Sequence, residues 1–454
     1  MRAAHRLLAF LVIVIPLSAS AGDLEDLFPS LVQQAQTQLF PFVVIDNGIN
    51  AGTFTATDGV SGTFDSTSSL GNLSSQVASQ FQRFPVGSTV AAFTFQFDPE
   101  LNVFTRSTEG LGPLLSERAQ TTGKGKINVS FAYSRVEFDV FEGDDLDDLD
   151  VGFAGAIQGN TGNSVFDYTG PNGNGTVVFG ADFPLGVQQL IPINNPAGGS
   201  TFNDGRGLSG VHSAGFTTGS IGVTSVRSIL DAELDVDVFA FFLNYGVTDW
   251  IDVGAVVPLM NVDGSGQVTT FGLTDPNTGV PTGAVATSKQ HDSSFGFGDI
   301  ILRAKARVLT TNYVDAAVRG DLTLPTGDED EFRGYGDPAF GPTLVLSKAF
   351  GFISPHANAG LNFRTDDPDQ HSVRWATGFD IQPFEVLTVT ADVIGEHLLD
   401  RNENIGEDIF GIAGGLKVNP WRRLVLSGSA LVRLNDEGLR ADVIPSVAVE
   451  YTFR

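Results

Sequence analysis

The stretch at residues 297–325 constrains the fold most, because it has the pattern of two β-strands joined by the polar turn Thr310-Thr311-Asn312. Side chains of a strand point to opposite faces with period two, and one face of both strands is apolar. That face carries no charge over about ten residues, the length that a tilted strand needs to cross a bilayer. Alternation also occurs in half-buried soluble strands, so only the charge-free length distinguishes a membrane-spanning strand from a soluble one. It favours a membrane-spanning hairpin whose charged face lines a lumen.

The chain begins with the features of a secretory signal peptide. Arg2 and Arg6 form a basic start, residues 7–17 form an apolar run, and Ala19-Ser20-Ala21 matches a cleavage site. The sequence therefore predicts a signal peptide at residues 1–21. The apolar run is too short for a membrane-spanning helix, and no later stretch has the roughly eighteen apolar residues that such a helix needs.

Net charge and cysteine content exclude several classes of function. The chain has 26 Lys and Arg against 53 Asp and Glu, so loss of Arg2 and Arg6 with the signal leaves 24 against 53, or −29. Nucleic acid is therefore excluded as a partner, because binding to phosphates needs the opposite sign. The absence of Cys excludes disulfides, thiolate metal sites and Cys nucleophiles. The 53 Gly and 36 Phe are typical of turns, strands and aromatic girdles.

Residues 22–87 contain no convincing membrane strand. Two short pieces, at residues 29–39 and 70–84, have apolar residues at helical spacing. Periodicity does not place a helix in space, so two interpretations stay open. The segment is either a periplasmic extension or a plug that folds into the lumen.

From residue 88 to 454, alternating segments predict an all-β fold, a transmembrane antiparallel β-barrel of about fourteen strands, in a range of about 12 to 16. A first hairpin is predicted at residues 89–97 and 101–105, and residues 106–123 are predicted to be a longer connection. The further predicted strands are the two of the hairpin at residues 297–325 and those at residues 124–140, 234–247, 250–260, 336–348, 352–365, 370–381, 386–398, 408–418, 423–434 and 439–453.

Short and long connections alternate along these strands. The short turns include Thr248-Asp249 and Asn419-Pro420, whereas long extracellular loops are predicted at residues 140–233 and 261–294. Outer-membrane barrels have this asymmetry, with short turns on the periplasmic side. An even strand number then places both chain ends in the periplasm.

No motif for catalysis or metal binding is evident in the sequence. The acidic run at residues 142–150 lacks the spacing of an EF-hand loop, and the His residues form no H-E-x-x-H pattern. His212-Ser213 and His291-Asp292-Ser293 are adjacent in sequence, which is no evidence for a triad. We therefore expect no enzyme activity, no catalytic residues, no metal and no cofactor.

The charged residues on the predicted inner face are the candidate lumen-lining set. In a structural interpretation, opposite charges pair across neighbouring strands and fill the lumen. In a functional interpretation, they line a permeation path. The set comprises Asp299, Arg303, Lys305, Arg307, Asp315, Arg319, Asp321, Arg364, Arg374, Asp380, Asp392, Glu396, Arg433 and Glu450.

Several turn and strand-end motifs resemble a family of outer-membrane proteins named for the MetA pathway of phenol degradation, which is related to FadL-type channels for hydrophobic compounds. The motifs are FPVGS at residues 84–88, FTFQFD at 93–98, GPLLSERAQTTGKGK at 112–126, YGVTDWIDVG at 245–254 and LPTGD at 324–328. The resemblance implies a barrel of fourteen or a similar number of strands with an N-terminal hatch. It also implies passage of small apolar or aromatic molecules, and no catalytic residue carries over.

The sequence thus predicts a channel or transporter for small hydrophobic or aromatic compounds, acting by passive diffusion in the outer membrane of a Gram-negative-type bacterium. The alternative is a structural or surface-interaction barrel with a closed lumen. The expected partners are a small-molecule solute, outer-membrane lipid and the barrel-assembly machinery. The last would recognise the C-terminal strand, which ends with the aromatic Phe453.

Overall fold

The computed structural model of the chain describes most residues from 111 onward. Its gaps there are residues 114, 142, 159–164, 171–172, 179–189, 192–200, 204–208, 213–220, 272–283, 366–370, 400–407, 422 and 454. Before residue 111 it describes residues 24, 27, 30–31, 43–46, 52–56, 61–64, 95–98 and 103–106. The predicted signal peptide therefore lies outside the described residues, as does the predicted amphipathic piece at 70–84.

A closed antiparallel barrel dominates the described structure, and thirteen strands build its wall. These strands are β1 (Ile127–Phe138), β2 (Ile221–Gly246), β3 (Ile251–Phe271), β4 (Ala284–Phe297), β5 (Ile300–Thr310), β6 (Asp315–Leu324), β7 (Ala339–Ser347), β8 (Ile353–Arg364), β9 (Ser372–Phe384), β10 (Leu387–Leu398), β11 (Asp408–Trp421), β12 (Leu424–Arg433) and β13 (Val443–Phe453). Strand β13 pairs with β1 and closes the ring.

Strands β4 and β5 occupy one place in the ring. Strand β4 pairs with residues 259–271 of β3, and β5 pairs with residues 251–256 of the same strand. The two are therefore one wall strand interrupted at Gly298 and Asp299, and the barrel has twelve strands. This number lies within the predicted range, and the predicted all-β antiparallel barrel is confirmed.

The two faces of the wall differ in polarity, as the alternation of the sequence predicts. Leu302, Val318 and Leu344 point outward and are 43%, 47% and 46% exposed. Lys305 and Asp315 point inward and are buried. Large apolar side chains on the outside of a barrel meet lipid, since the bilayer core offers no water. Among the described residues, no helix is long and apolar enough to span a bilayer.

Strand β2 marks the outer edge of the hydrocarbon layer. Its outward side chains change from the apolar Phe241 and Phe239 to the acidic Asp237 and Asp235. The Tyr133 hydroxyl donates to Asp237 over 2.7 Å at this level, and its ring lies 5.1 Å from the Phe239 ring. Aromatic residues with one polar end are typical of this interface. The part of the wall that lies beyond Phe239, on the side away from the periplasm, is therefore outside the membrane.

The wall extends further outward than the sequence predicted. Strand β2 begins at Ile221 rather than at residue 234, β3 continues to Phe271, and β4 begins at Ala284. The prediction that residues 261–294 are one long loop is therefore wrong, and residues 221–233 belong to a strand rather than to the 140–233 loop. Outside the membrane the strand polarity is reversed, with apolar residues inward and polar ones outward, so the search for an apolar outer face missed these residues.

The first predicted hairpin forms but does not join the barrel. Its strands lie at Phe95–Asp98 and Val103–Arg106 and pair only with each other within the described structure. The barrel wall therefore begins at β1, which accounts for twelve strands where about fourteen were predicted.

Smaller strands lie outside the twelve-strand wall. A seven-stranded sheet combines Val43–Asp46, Gly52–Ala56, Ser61–Phe64, Gly173–Val178, Val165–Gly170, Ser209–His212 and Thr201–Asn203. Leu149–Gln158 and Leu190–Ile191 pair with the outer part of β2. Val140–Phe141, Asp144–Asp145 and Leu439–Arg440 form a three-stranded sheet, and Leu146–Asp148 form one 3-10 turn.

An apolar core fills the barrel interior outside the membrane. Leu24, Leu27 and Leu31 of the N-terminal region are buried in it beside inward residues of β2 and β3. Gly264 makes room for them, since a Cβ at this position would lie 2.8 Å from a methyl group of Leu27. These contacts bring part of the 22–87 region against the inner wall. The buried members of the core are Leu24, Leu27, Leu31, Val136, Phe141, Leu146, Leu149, Leu230, Ala232, Leu234, Val236, Val262, Val268, Phe332, Leu439 and Ala441.

Candidate functional site

Residues 111–123, here called the lumen segment, cross the inside of the barrel. At one end the Leu111 amide donates to Thr388 Oγ1 of β10 over 3.0 Å. At the other end the Thr122 amide donates to Asp252 Oδ2 of β3 over 2.7 Å. Strands β10 and β3 lie six places apart in the ring of twelve, on opposite sides of the barrel. The prediction that residues 106–123 are a plain connection is therefore wrong for this part.

The lumen segment lies at the end of the barrel that carries the short turns. Its partners sit at the strand ends next to these turns, with Asp252 second in β3, Ser347 last in β7 and Thr388 second in β10. Short turns face the periplasm in outer-membrane barrels. The segment thus crosses the lumen at its periplasmic end, where its irregular backbone lines a protein interior and avoids lipid.

Glu117 is the charged centre of the site. Its carboxylate lies 3.1 Å from Arg303 Nη1, 3.5 Å from Lys305 Nζ and 3.5 Å from Arg319 Nη1. The side chain is 1% exposed. A carboxylate at this depth stays ionised only when cations and hydrogen bonds compensate its lost hydration. Three wall cations supply that compensation here.

Asp321 completes the charge cluster from the wall itself. Arg303 donates to both of its oxygens, over 2.6 Å from Nε and 3.1 Å from Nη2. Arg319 Nη2 lies 3.1 Å from Asp321 Oδ2. The paired geometry is the one in which guanidinium and carboxylate groups fit best. Asp321 therefore orients both arginines toward Glu117.

The backbone of the lumen segment is held by wall side chains. Asn358 of β8 accepts from the Glu117 amide and donates to the Glu117 carbonyl, over 3.0 Å in both cases. Ser347 Oγ accepts from the Ala119 amide over 2.9 Å. Lys417 Nζ donates to the Pro113 carbonyl over 2.6 Å. Polar wall residues thus replace the partners that a strand would find in its neighbours.

A second charged wall faces the opposite side of the segment. Ser116 Oγ donates to Asp392 Oδ1 over 2.7 Å, and the same oxygen contacts His356 Nε2 at 2.5 Å. Asp380 lies 3.9 Å from His356 Nδ1, and Arg118 interacts with Asp380 electrostatically. The adjacent charges Glu117 and Arg118 thus face cationic and acidic walls, respectively. This arrangement fixes which side of the segment meets which strands.

The structure brings together seven of the fourteen predicted lumen residues around the segment. Arg303, Lys305, Arg319 and Asp321 surround Glu117, as described above. Asp380 and Asp392 lie on the acidic side. Asp315 also reaches the segment, since Gln120 Nε2 donates to its Oδ2 over 3.4 Å, while Lys348 Nζ lies 3.2 Å from its Oδ1.

The other seven predicted lumen residues have other places. Asp299 lies at the interruption between β4 and β5, where it accepts from the Thr326, Gly327 and Tyr335 amides of the outer loop. Arg307 donates to the Asp249 carbonyl in a periplasmic turn over 2.9 Å. Arg374 pairs with Glu396 over 2.9 Å. Arg364 pairs with Asp337, Arg433 with Asp442, and Glu450 accepts from Asn128.

Sequence reasoning missed Glu117, Ser116, Asn358 and Ser347 as site residues. One signal was available, because Glu117 lies within the 112–126 motif that carried part of the family resemblance. The motif has no alternation, and its partners are distant in sequence. Within the described residues, no group of three or more His, Asp or Glu side chains is placed to hold a metal ion.

The likeness to solved structures is weak. An outer membrane channel from Pseudomonas putida F1 is 10% identical with a TM-score of 0.40, over 74% of this chain and 98% of that one. A FadL homologue from Pseudomonas aeruginosa is 11% identical with a TM-score of 0.32, over 72% and 90%. The Ralstonia pickettii toluene transporter is 13% identical with a TM-score of 0.32, over 73% and 90%. At these scores the likenesses specify no function for this chain.

The sequence comparisons are more specific about the family. No curated protein matches the chain. Residues 213–438, which include most of the barrel wall, match the family described as "Putative MetA-pathway of phenol degradation". The match confirms the resemblance seen in the turn motifs, and the twelve-strand wall has the apolar exterior of a membrane barrel. The chain is therefore an outer-membrane β-barrel protein whose residues 213–438 match this family.

Proposed function

We propose that the protein is an outer-membrane channel through which small hydrophobic or aromatic compounds diffuse passively, and that the lumen segment closes its periplasmic end. The observation that carries this proposal is that polar contacts hold the segment in the lumen. The segment is tied to the wall by hydrogen bonds and ion pairs from Asn358, Ser347 and Arg303. A net hydrogen bond contributes about 0.5–1.5 kcal/mol, because water replaces the partner when it breaks. The segment can thus be released while the wall stays intact.

The apolar interior outside the membrane supports the proposed class of solute. Leu230, Leu234, Val262 and Val268 are buried on the inner face of β2 and β3. An apolar inner surface attracts apolar molecules out of water. The family description, which refers to phenol degradation, points to aromatic compounds as well.

We also propose that the 22–87 region acts as the plug of this channel. Leu24, Leu27 and Leu31 cover the apolar inner surface, which a solute would otherwise contact. In this proposal the lumen has two closures, an apolar one on the outside and a polar one at the periplasmic end. A solute displaces the first by the hydrophobic effect and passes the second when the lumen segment moves.

Two partners follow from the exterior of the barrel. Exposed apolar side chains such as Leu344 and Leu416 would contact outer-membrane lipid. The barrel-assembly machinery would recognise the C-terminal strand β13, whose last described residue is Phe453.

A structural or surface-interaction barrel with a closed lumen is the second candidate. The buried ion pairs around Glu117 favour it, because they fill the periplasmic end of the lumen with compensated charge. The outer extension of β2 to β4 would then be the binding surface.

Entry of an apolar dye into intact cells separates the two candidates. N-phenyl-1-naphthylamine is an aromatic probe that an intact outer membrane excludes and that fluoresces in lipid. Cells that express the full-length protein should take it up several-fold faster than cells with an empty vector. Hydrolysis of the polar substrate nitrocefin by a periplasmic β-lactamase is the control, and its rate should stay the same.

Equal dye entry with and without the protein would contradict a channel and favour the structural barrel. Faster entry of both compounds would indicate a general leak, which contradicts the proposed class of solute. Heat-modifiable migration in gels should confirm that equal amounts of folded protein are present in the membranes compared.

A further inference from the structure

We propose that Arg303, Lys305 and Arg319 form a binding site for the carboxylate of a small organic acid, and that Glu117 occupies this site as an internal ligand. The inference rests on the proposed function, because the acid would reach the site through the channel. It extends the solutes from neutral apolar compounds to those that also carry one carboxylate.

The arrangement of the cations on the wall is unfavourable without an anion. Lys305 of β5 and Arg319 of β6 are direct cross-strand partners, as are Arg303 and Asp321. Like charges directly opposite each other on one face of a sheet repel. The Arg303 and Arg319 side chains are 10% and 17% exposed, so water screens this repulsion little. A barrel wall that served packing alone would gain from a neutral residue at one of these places.

The wall does not neutralise the cluster by itself. Ion pairs join Arg303, Lys305 and Arg319 to two carboxylates, and only Asp321 belongs to the wall. When the lumen segment leaves, these pairs lose Glu117, and three cations face two wall carboxylates, Asp321 and the Asp252 of β3 that lies opposite Lys305, so one positive charge stays uncompensated. Arg319 Nε is also buried and has no hydrogen-bond partner among the described residues. The cluster thus keeps both charge and a donor for an incoming anion.

The surroundings of the cations fit an organic acid better than an inorganic anion. Ala317 of β6, two residues before Arg319, is fully buried against Val345 of β7 and Ala119 of the lumen segment. Departure of the segment removes Ala119 and uncovers Ala317 and Val345. A ligand with a carboxylate and a small apolar body would contact the cations and this apolar pair together. Glu117 itself presents a carboxylate on an apolar stem.

Binding of benzoate to the purified full-length protein in detergent tests the site, with benzamide as a neutral probe of the same shape. Calorimetry should show that the Glu117→Gln variant binds benzoate at least tenfold more tightly than the native protein, because the internal competitor has lost its charge. Benzamide should bind equally weakly to both. A further Arg303→Gln substitution in the Glu117→Gln variant should weaken benzoate binding at least tenfold. The Glu137→Gln variant, which changes an exposed carboxylate on the outer surface, should bind benzoate as the native protein does.

Equal affinities of the Glu117→Gln variant for benzoate and benzamide would overturn the proposal. Hydrogen exchange of the native protein gives a second test, which stands even where the variant does not fold. Saturating benzoate should speed exchange of the Glu117 amide severalfold, because the benzoate carboxylate displaces the Glu117 side chain. Benzamide should leave the exchange rate unchanged. An unchanged rate with benzoate would count against the site.

The two proposals fail separately. Dye entry into cells without preferential benzoate binding would overturn the carboxylate site and leave the channel. Preferential benzoate binding without dye entry would support the site and contradict the channel for hydrophobic compounds.

Discussion

The Arg303 guanidinium donates from Nη1 to Oε1 of Glu117 over 3.1 Å and joins a wall strand to a segment 186 positions earlier in the chain. The contact compensates a buried carboxylate and holds the lumen segment across the barrel. The same interaction thus holds the segment in the lumen and compensates the charge of Glu117. Changes that loosen the segment should therefore alter the ions that the barrel admits as well as its conductance.

Release of the segment backbone should open the barrel. Asn358→Ala removes the donor and the acceptor that hold the Glu117 backbone. We expect single-channel conductance events in planar bilayers to become at least tenfold more frequent, because two hydrogen bonds contribute about 1–3 kcal/mol. Asn362→Ala, on the same face of the same strand, is the control. An Asn358→Ala variant as silent as the native protein would contradict closure by the segment.

Loss of the wall carboxylate should destabilise the folded barrel. Asp321→Asn removes the negative charge that pairs with Arg303 and Arg319 and replaces one acceptor oxygen with an amide donor. Removing one partner of a buried ion pair costs about 3–5 kcal/mol, and we expect about 3 kcal/mol here because the pair keeps slight contact with water. The measurement is the free energy of unfolding in guanidinium chloride. Glu137→Gln, at an exposed pair with Arg135, should change it by less than about 1 kcal/mol, and equal effects would contradict the prediction.

The approach of two backbone segments at Gly246 should not tolerate a side chain. A Cβ at this position would lie 1.9 Å from the Gly123 carbonyl oxygen. Gly246→Ala should push the end of the lumen segment away from β2 and lower the stability by about 1–3 kcal/mol, as overpacking does. Gly428→Ala is the matched control, since nothing lies within 4 Å of its Cβ position. Similar unfolding midpoints for both variants would argue against this close approach.

A charge on the lipid face should mark the depth of the barrel in the membrane. Leu344→Arg places a cation on the outside of β7, where Leu344 is 46% exposed. Arginine near the bilayer midplane costs about 2–4 kcal/mol, measured as the free energy of unfolding in liposomes. Ser265→Arg on the outward face of β3 should cost little, because this residue lies outside the membrane and contacts Glu233. Equal costs at both positions would contradict the assigned boundary.

The wall was predictable from sequence because its strands have one simple environment on each face. In β5 and β6 most apolar residues meet lipid and the polar ones meet the lumen, so period two is visible in the sequence. The interruption at Gly298 and Asp299 was missed, because it is caused by the outer loop. Amides of this loop donate hydrogen bonds to the Asp299 carboxylate.

The lumen segment was not predictable by the same reasoning. Its residues face wall strands on several sides, so no period appears, and each contact joins positions far apart in sequence. Ser116 and Asp392, for example, are 276 positions apart. The charges on the wall were recognised, whereas their partner Glu117 lay in a stretch interpreted as a connection.

If the barrel is the proposed channel, the outer extension of β2 determines where a solute first loses contact with water. Residues 221–237 span roughly 50 Å along the strand at about 3.3 Å per residue, all of it beyond the aromatic edge at Phe239. The apolar inner face begins within this extension, at Leu230 and Leu234. In the proposed channel, an apolar molecule would therefore shed its hydration shell well outside the lipid and would reach the membrane level already dehydrated.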